Sequence, residues 1–338
     1  MSHSYRAYGL SISSQITIPG LEPQLNSVPV ADLSVEVGPE PGWVSGATKM
    51  ASQCFHKHAA ERREHDPGVV VTAMGAMEFF ELCYSDGARF VVNGSTTQMW
   101  AEWVAPLTVE DFATYFLGPV MGFVLRRRGL TAMHASSVCI GGHAITLSGE
   151  AHAGKSTTAA ALALRGVPVL CEDISALYEK SGRVWVESGY PRVCLWPDSV
   201  QKLMGTPNAL PQLTPTWEKC YLPLDGRPAR FEPEHQPLGA VYLFGPRSEE
   251  ECAPRVEEIS LREALLGLVQ NTYMNWILDR TNRAKEFDVL TRMMAYVPVR
   301  RVVPHSDPAR IGKLCELLIF DAQQQIAEKA TARDTSTL

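Results

Sequence analysis

The chain has 338 residues, of which 45% are hydrophobic and 20% charged, and this composition is typical of a globular protein with room for two domains. Its net charge of −6 disfavours nucleic acid or an anionic membrane as the main partner. The eight cysteines form no C-x-x-C pair, no N-terminal apolar signal segment precedes them, and no apolar run reaches the ~20 residues of a membrane span, so we expect a cytoplasmic protein with reduced thiols.

Residues 1–128 predict a small sheet-rich α+β domain. Short apolar stretches alternate with Gly- and Pro-containing turns, and Asp86-Gly87 forms a tight-turn signal between "MEFFELCYS" and "ARFVVNG". A helix is predicted over residues 108–128. We expect this N-terminal domain to help position a substrate.

Residues 129–330 predict a second, α/β domain. "LTAMHASSVCIGGHAITLSGE" is typical of two strands joined by a turn at Gly141-Gly142, and "KSTTAAALALRG" of a helix that ends at Gly166. The segments "VPVLCEDISALY" and "PLGAVYLFG" predict further strands. Helical patterns then cover 260–283, 285–297 and 308–330, and residues 331–338 are expected to be a flexible tail.

The segment "GEAHAGKST" lies between the second strand and the helix. Gly149, Gly154, Lys155 and Ser156 fit the pattern G-x-x-x-x-G-K-[ST], in which loop N–H groups, the lysine and the hydroxyl hold the phosphates and Mg²⁺ of a nucleotide. The helix N-terminus favours the same anion. The predicted nucleotide-binding residues are Gly149, Ala151, His152, Ala153, Gly154, Lys155, Ser156 and Thr157.

Two carboxylates, Glu172 and Asp173, follow at the end of the next predicted strand. Phosphoryl transfer needs in-line positioning of the reacting atoms and neutralisation of charge on the transferring group. A carboxylate that binds the metal ion and a group that accepts the proton of the hydroxyl contribute to this. We expect Glu172 to be the base and Asp173, with Ser156, to bind the metal, although the two roles could be exchanged. Adjacent strand residues face opposite sides, so both can serve only if the strand ends and the chain turns there.

His134 in "MHASSV", the loop, the acidic pair and "GYPRVCLWPD" occur in an order and spacing that resembles the HPr kinase/phosphorylase family over roughly residues 130–200. The resemblance is greatest to shorter serine-kinase relatives, some of which act on RiPP or lasso precursor peptides. It implies a phosphate-loop kinase domain with a mixed sheet and a catalytic role for His134 beside Glu172 and Lys155. It also implies a further metal carboxylate at Asp198, while Arg192 is a candidate contact for substrate or phosphate. The family's two aspartates correspond here to Glu172 and Asp173.

The expected function is an ATP- and Mg²⁺-dependent kinase that phosphorylates a serine hydroxyl of a peptide or small protein, with a RiPP or lasso precursor as one candidate. A shikimate-type metabolite kinase and a non-catalytic nucleotide-binding regulatory protein are the alternatives. The long N-terminal region and His134 disfavour the first, and the intact lysine, hydroxyl and acidic pair disfavour the second. The choice of ATP, GTP or pyrophosphate as donor, the reverse phosphorolysis and the oligomeric state, including a homo-oligomer, stay open.

Overall fold

The computed structural model describes residues 2–25, 30–58 and 67–335, with side chains as far as residue 328. The chain forms two compact units, Met1–Gly129 with Gln212–Glu218 and Leu130–Pro211 with Lys219–Leu338. The fold is mixed α/β with more than one mixed sheet, which confirms the predicted class at this level.

The first unit contains an eight-stranded mixed sheet. Its strands are β1 (His3–Ala7), β2 (Leu10–Ser14), β3 (Leu33–Val37), β4 (Ser52–His58), β5 (Val69–Met74), β6 (Phe79–Tyr84), β7 (Arg89–Asn93) and β8 (Gln98–Glu102). Their order in the sheet is β1-β2-β3-β8-β7-β6-β5-β4, with β3 parallel to both of its neighbours. The predicted hairpin is present, because β6 and β7 are antiparallel and Gly87 in their turn has φ 101°.

The helical part of the first unit departs from the sequence prediction. Besides α1 (Gly42–Ala47), it has α2 (Val109–Tyr115) and α3 (Met121–Arg127), joined by a wide π-helical turn over Phe116–Val120. Gly118 has non-helical angles and Pro119 has no N–H to donate, so the helix predicted over 108–128 is interrupted there.

The segment Gln212–Glu218 is grouped with the first unit, although in sequence it lies far beyond residue 129. Thr216 donates its hydroxyl hydrogen to Asp111 of α2. The Trp217 ring meets the Tyr115 ring edge-on, with 5.7 Å between the centroids. The sequence analysis had assigned this segment to the second domain.

The strands numbered from β9 onwards belong mainly to the second unit. They are β9 (Thr131–Ile140), β10 (His143–Ser148), β11 (Val169–Cys171), β12 (Ile174–Lys180), β13 (Arg183–Val186), β14 (Arg192–Leu195), β15 (Gln212–Thr214), β16 (Trp217–Pro223), β17 (Gln236–Phe244), β18 (Arg255–Glu258) and β19 (Val299–Val303). The main sheet has the order β10-β9-β12-β13-β17-β19-β18, and β11 pairs with β9. Strand β10 also pairs in parallel with β17. The hairpin predicted at Gly141-Gly142 is present as β9 and β10.

Helices cover both faces of this sheet. They are α4 (Lys155–Ala163), α5 (Pro197–Met204), α6 (Leu261–Gln270), α7 (Arg280–Met294) and α8 (Ile311–Thr335). On β17, Tyr242 packs in one core with α4 and α8, whereas Val241 and Leu243 pack in another with α6 and α7. This alternation follows from the two-residue period of a strand and explains the long apolar runs in the sequence. Within the described residues, no helix is long and apolar enough to cross a membrane.

The helix predicted over 260–283 is two helices. Helix α6 ends at Gln270, where the Asn271 side chain donates to the Gly267 carbonyl at 2.8 Å. Helix α7 begins after Asp279, whose carboxylate accepts from the Asn282 N–H at 2.8 Å. These polar side chains satisfy backbone groups at the two helix ends, and the intervening residues 271–279 form no α-helix, only a 3-10 turn at Asn275–Ile277. The last helix reaches Thr335, and residues 336–338 of the predicted tail lie outside the described residues.

Candidate active site

The strand and helix predicted on either side of the glycine-rich loop are β10 and α4. Gly149 has φ 153°, and a Cβ there would lie only 3.0 Å from the Phe244 Cβ and 3.1 Å from the Phe244 oxygen, so this close approach requires glycine. His152 and Gly154 have φ values of 61° and 106°, which turn the loop into the first turn of α4. Arg247, which the sequence analysis missed, donates to the His152 carbonyl at 3.2 Å.

Lys155 and Ser156 follow at the start of α4. The Lys155 side chain is buried and its Nζ donates to the carbonyls of Gly149 at 2.8 Å and Glu150 at 2.9 Å. Burial lowers the pKa of Lys155 to about 8, and the nearby carboxylates of Asp173 and Glu172 oppose that shift. The lysine side chain therefore folds back onto the loop that precedes α4.

The acidic pair lies where the chain turns between two strands. Strand β11 ends at Cys171 and β12 begins at Ile174, whose N–H donates to the Glu172 carbonyl at 2.8 Å. Asp173 has φ 65°, an uncommon left-handed conformation for a residue other than glycine. The strand therefore ends and the chain turns at the acidic pair, which is the condition for both adjacent side chains to serve one site. Glu172 Oε1 accepts from the Ser156 hydroxyl at 2.7 Å.

Glu172 is 4% exposed, so its carboxylate is largely removed from water. Burial raises its pKa above the ordinary value, and Asp173 raises it further. Lys219, the Ser156 hydroxyl and the Cys194 N–H lower the pKa by favouring the charged form, although by less than burial and Asp173 together raise it. Lys219 is a second cation of the site: burial alone would lower its pKa, but Cys194, Glu172 and Asp173 raise it.

His134 lies next to Asp173. Its Nδ1 is 3.6 Å from Asp173 Oδ1, and its ring is stacked on Tyr273 with 5.9 Å between centroids and 19° between planes. The Tyr273 hydroxyl donates to Asp173 Oδ2 at 3.2 Å. Burial lowers the pKa of His134 below its ordinary value, Asp173 opposes this shift, and Lys155 and Lys219 add to it. The sequence analysis placed Tyr273 within a helix and missed it.

The two remaining candidates from the sequence are Asp198 and Arg192. Asp198 is exposed in the first turn of α5, and among the described residues no hydrogen bond or ion pair joins it to the loop or the acidic pair. Its neighbour Ser199 shares a hydrogen bond of 2.9 Å with the Thr157 hydroxyl. The Arg192 guanidinium lies over the Tyr221 ring, 4.5 Å from the centroid.

The residues present fit a nucleotide-bound Mg²⁺. In the described part of the chain, no group of three or more His, Cys, Asp or Glu side chains is arranged to hold a metal ion by itself. Mg²⁺ is usually held by one or two protein ligands together with substrate phosphates and water. Ser156 and Glu172, joined by their hydrogen bond of 2.7 Å, provide a hydroxyl and a carboxylate of this kind.

No family model and no curated protein matches the chain. Among solved structures, the chain is similar to the Hpr(Ser) kinase/phosphatase from Coxiella burnetii, with 16% sequence identity and a TM-score of 0.31. The similarity covers 61% of this chain and 96% of that chain. Similarity at this level establishes neither a fold family nor an activity for the chain, and the family resemblance of the sequence remains a proposal.

Proposed function

We propose that the chain is an ATP- and Mg²⁺-dependent phosphotransferase that phosphorylates a serine hydroxyl on a peptide or small protein. One observation carries this proposal: the loop residues Lys155 and Ser156 share one site with both carboxylates of the turn, Glu172 and Asp173. A phosphate loop alone would serve a binding protein equally well. A second carboxylate beside the metal position adds a group that can accept a proton from a hydroxyl.

The contacts favour Glu172 as the metal carboxylate. It accepts a hydrogen bond from Ser156, the hydroxyl expected to bind Mg²⁺, and a carboxylate next to that hydroxyl can bind the same ion directly or through water. Its burial makes a free negative charge costly, and a divalent cation would offset that cost. These contacts exchange the roles first expected for Glu172 and Asp173.

Asp173 is then the base. Its side chain is one-third exposed and contacts His134 and Tyr273, whereas the Ser156 hydroxyl donates to Glu172. In the proposed step the acceptor hydroxyl gives its proton to the Asp173 carboxylate while its oxygen forms a bond to the γ-phosphorus. The bond from that phosphorus to the β,γ-bridging oxygen breaks, and the electron pair leaves with ADP. Bound Mg²⁺ would neutralise charge on the phosphates.

The cations of the site complete the proposed mechanism. Lys155 would exchange its bonds to the Gly149 and Glu150 carbonyls for bonds to phosphate oxygens. Lys219 lies close enough to shift the pKa of Glu172, and its Nζ is 5.5 Å from the centre of the Trp196 ring. A charge held there would stabilise negative charge on the transferring group. The N-terminal domain predicted over residues 1–128 would help to position the peptide.

Transfer of label from [γ-³²P]ATP in the presence of Mg²⁺ tests the proposal. The acceptors compared are serine-containing peptides, the same peptides with alanine in place of serine, free serine, and shikimate as a metabolite control. We expect label in the serine peptides, none in the alanine peptides, and loss of transfer in Lys155→Ala but not in the surface control Lys313→Ala. Transfer to a free metabolite alone would refute the peptide assignment. Nucleotide binding without transfer to any acceptor would favour a regulatory protein.

A further inference from the structure

The residues that follow α6 are attached to the strand that carries His134. Three backbone links make this attachment: the His134 N–H donates to the Asn271 carbonyl at 2.8 Å, the Tyr273 N–H donates to the Ala132 carbonyl at 2.7 Å, and Met133 forms an antiparallel bridge with Thr272. Residues 271–273 thus pair antiparallel with residues 132–134 of β9, as a short added strand beside its first half. In this antiparallel register Tyr273 lies opposite Ala132, two residues before His134 on the strand.

The side chain of Tyr273 contacts two residues of the proposed catalytic group. Its hydroxyl donates to Asp173 Oδ2, while the other carboxylate oxygen, Oδ1, is the one that lies near His134 Nδ1. Its ring is stacked nearly parallel to the His134 imidazole. Tyr273 thus holds one oxygen of the Asp173 carboxylate and His134 lies beside the other, so rotation of the carboxylate is restricted. Each oxygen has more than one lone pair, and Oδ1 can still accept a proton from an acceptor.

We infer that Tyr273 is a positioning residue of the proposed phosphotransferase, which orients the Asp173 carboxylate through its hydroxyl and the His134 ring through stacking. This inference rests on the proposed function. Tyr273 does not receive the proton and does not contact the phosphates. Its effect is geometric: the proton acceptor stays where the acceptor hydroxyl must approach, and a misplacement of about 1 Å can cost on the order of a hundredfold in rate.

Two variants separate the hydroxyl from the ring. Tyr273→Phe keeps the stacking and removes the hydrogen bond, and we expect kcat to fall by about 10- to 100-fold while the Kd for Mg²⁺-nucleotide stays unchanged. Tyr273→Leu removes both contacts and should lower kcat further. Tyr296→Phe, a partly buried tyrosine at the end of α7, is the matched control and should keep wild-type kcat.

An NMR measurement tests the placement without activity. The imidazole C–H signals of His134, assigned with His134→Asn, should carry a ring-current shift that persists in Tyr273→Phe and disappears in Tyr273→Leu. Wild-type kcat in Tyr273→Phe, loss of nucleotide affinity in that variant, or an unchanged His134 signal in Tyr273→Leu would each overturn the positioning role. If the wild-type protein transfers no phosphate, the proposed function fails by itself, and the NMR result still decides whether Tyr273 is placed against His134.

Discussion

Replacing Glu172 by Gln should weaken the binding of Mg²⁺-nucleotide more than it slows phosphoryl transfer. Gln has nearly the same shape and can still accept a hydrogen bond from Ser156, but it has no negative charge to offer a metal ion. If Glu172 is the metal carboxylate, as its contact with Ser156 suggests, the loss falls mainly on binding. Transfer measured at saturating Mg²⁺-nucleotide should persist at a reduced rate.

The expected size follows from the negative charge that the amide lacks. Glu172 Oε1 lies 2.7 Å from the Ser156 hydroxyl, so the carboxylate supports the hydroxyl expected to bind Mg²⁺. Loss of a residue that supports a metal ligand typically lowers metal affinity by about 10- to 100-fold. Since about 1.4 kcal/mol is a factor of ten in an equilibrium constant, this range corresponds to about 1.4–2.8 kcal/mol.

Asp173→Asn should show the opposite pattern. The amide cannot accept the acceptor's proton, so transfer should fall by roughly 10²–10⁴-fold while Mg²⁺-nucleotide still binds. Asp173 contacts His134 and Tyr273, while the Ser156 hydroxyl is bonded to Glu172, which is the reason to expect unchanged binding.

Calorimetric titration with Mg²⁺ and a non-hydrolysable ATP analogue measures binding, and single-turnover transfer at saturation measures chemistry. Glu179→Gln is the matched control, because Glu179 is an exposed carboxylate that pairs with Arg292 at 2.7 Å. The assignment is refuted if Asp173→Asn loses nucleotide affinity while Glu172→Gln binds normally and cannot transfer. In that case Glu172 is the base, as the sequence analysis first expected.

Three further predictions concern the loop. Lys155→Ala should remain folded, as measured by circular dichroism, and should turn over at least about a hundredfold more slowly. The reason is that a group that stabilises developing charge contributes about 3 kcal/mol or more. Normal turnover would mean that the loop plays no part in the reaction. Burial lowers the pKa of Lys155 to about 8, so the lysine is charged below that pH and neutral above it. We therefore expect kcat/KM for Mg²⁺-nucleotide to fall as the pH rises beyond about 8. A kcat/KM that stays constant at alkaline pH would contradict this. Gly149→Ala places a Cβ 3.0 Å from Phe244 Cβ and should lower the free energy of unfolding, measured by heat or urea, by about 1–3 kcal/mol. Gly226→Ala, which has open space around the added Cβ, should have little effect. Equal stability of the two variants would disprove the close approach.

Sequence patterns were most informative where the geometry is local. Gly149, Gly154 and the alanine-rich run specify a strand, a loop and a helix within about twenty residues, and the structure has β10 and α4 in those places. The Gly141-Gly142 hairpin was predicted for the same reason, since a two-residue turn dictates which strands pair. The single helix over 260–283 was predicted wrongly, because an apolar helical pattern continues across residues 271–279, which are not α-helical. Asn271 and Asp279 were available as capping signals at the two ends of the break.

By itself, the sequence determined that a phosphate-binding loop pattern is followed closely by two carboxylates, because spacing along a chain and the conformational limits of glycine can be read residue by residue. Only the tertiary structure decided which carboxylate meets Ser156, that Asp173 takes a left-handed conformation, and that Tyr273 reaches the Asp173 carboxylate. Tyr273 is 100 residues from Asp173 in the chain. Contacts at such separations depend on the order of strands in the sheet and on where helices end, and these follow from the packing of both cores rather than from any local pattern.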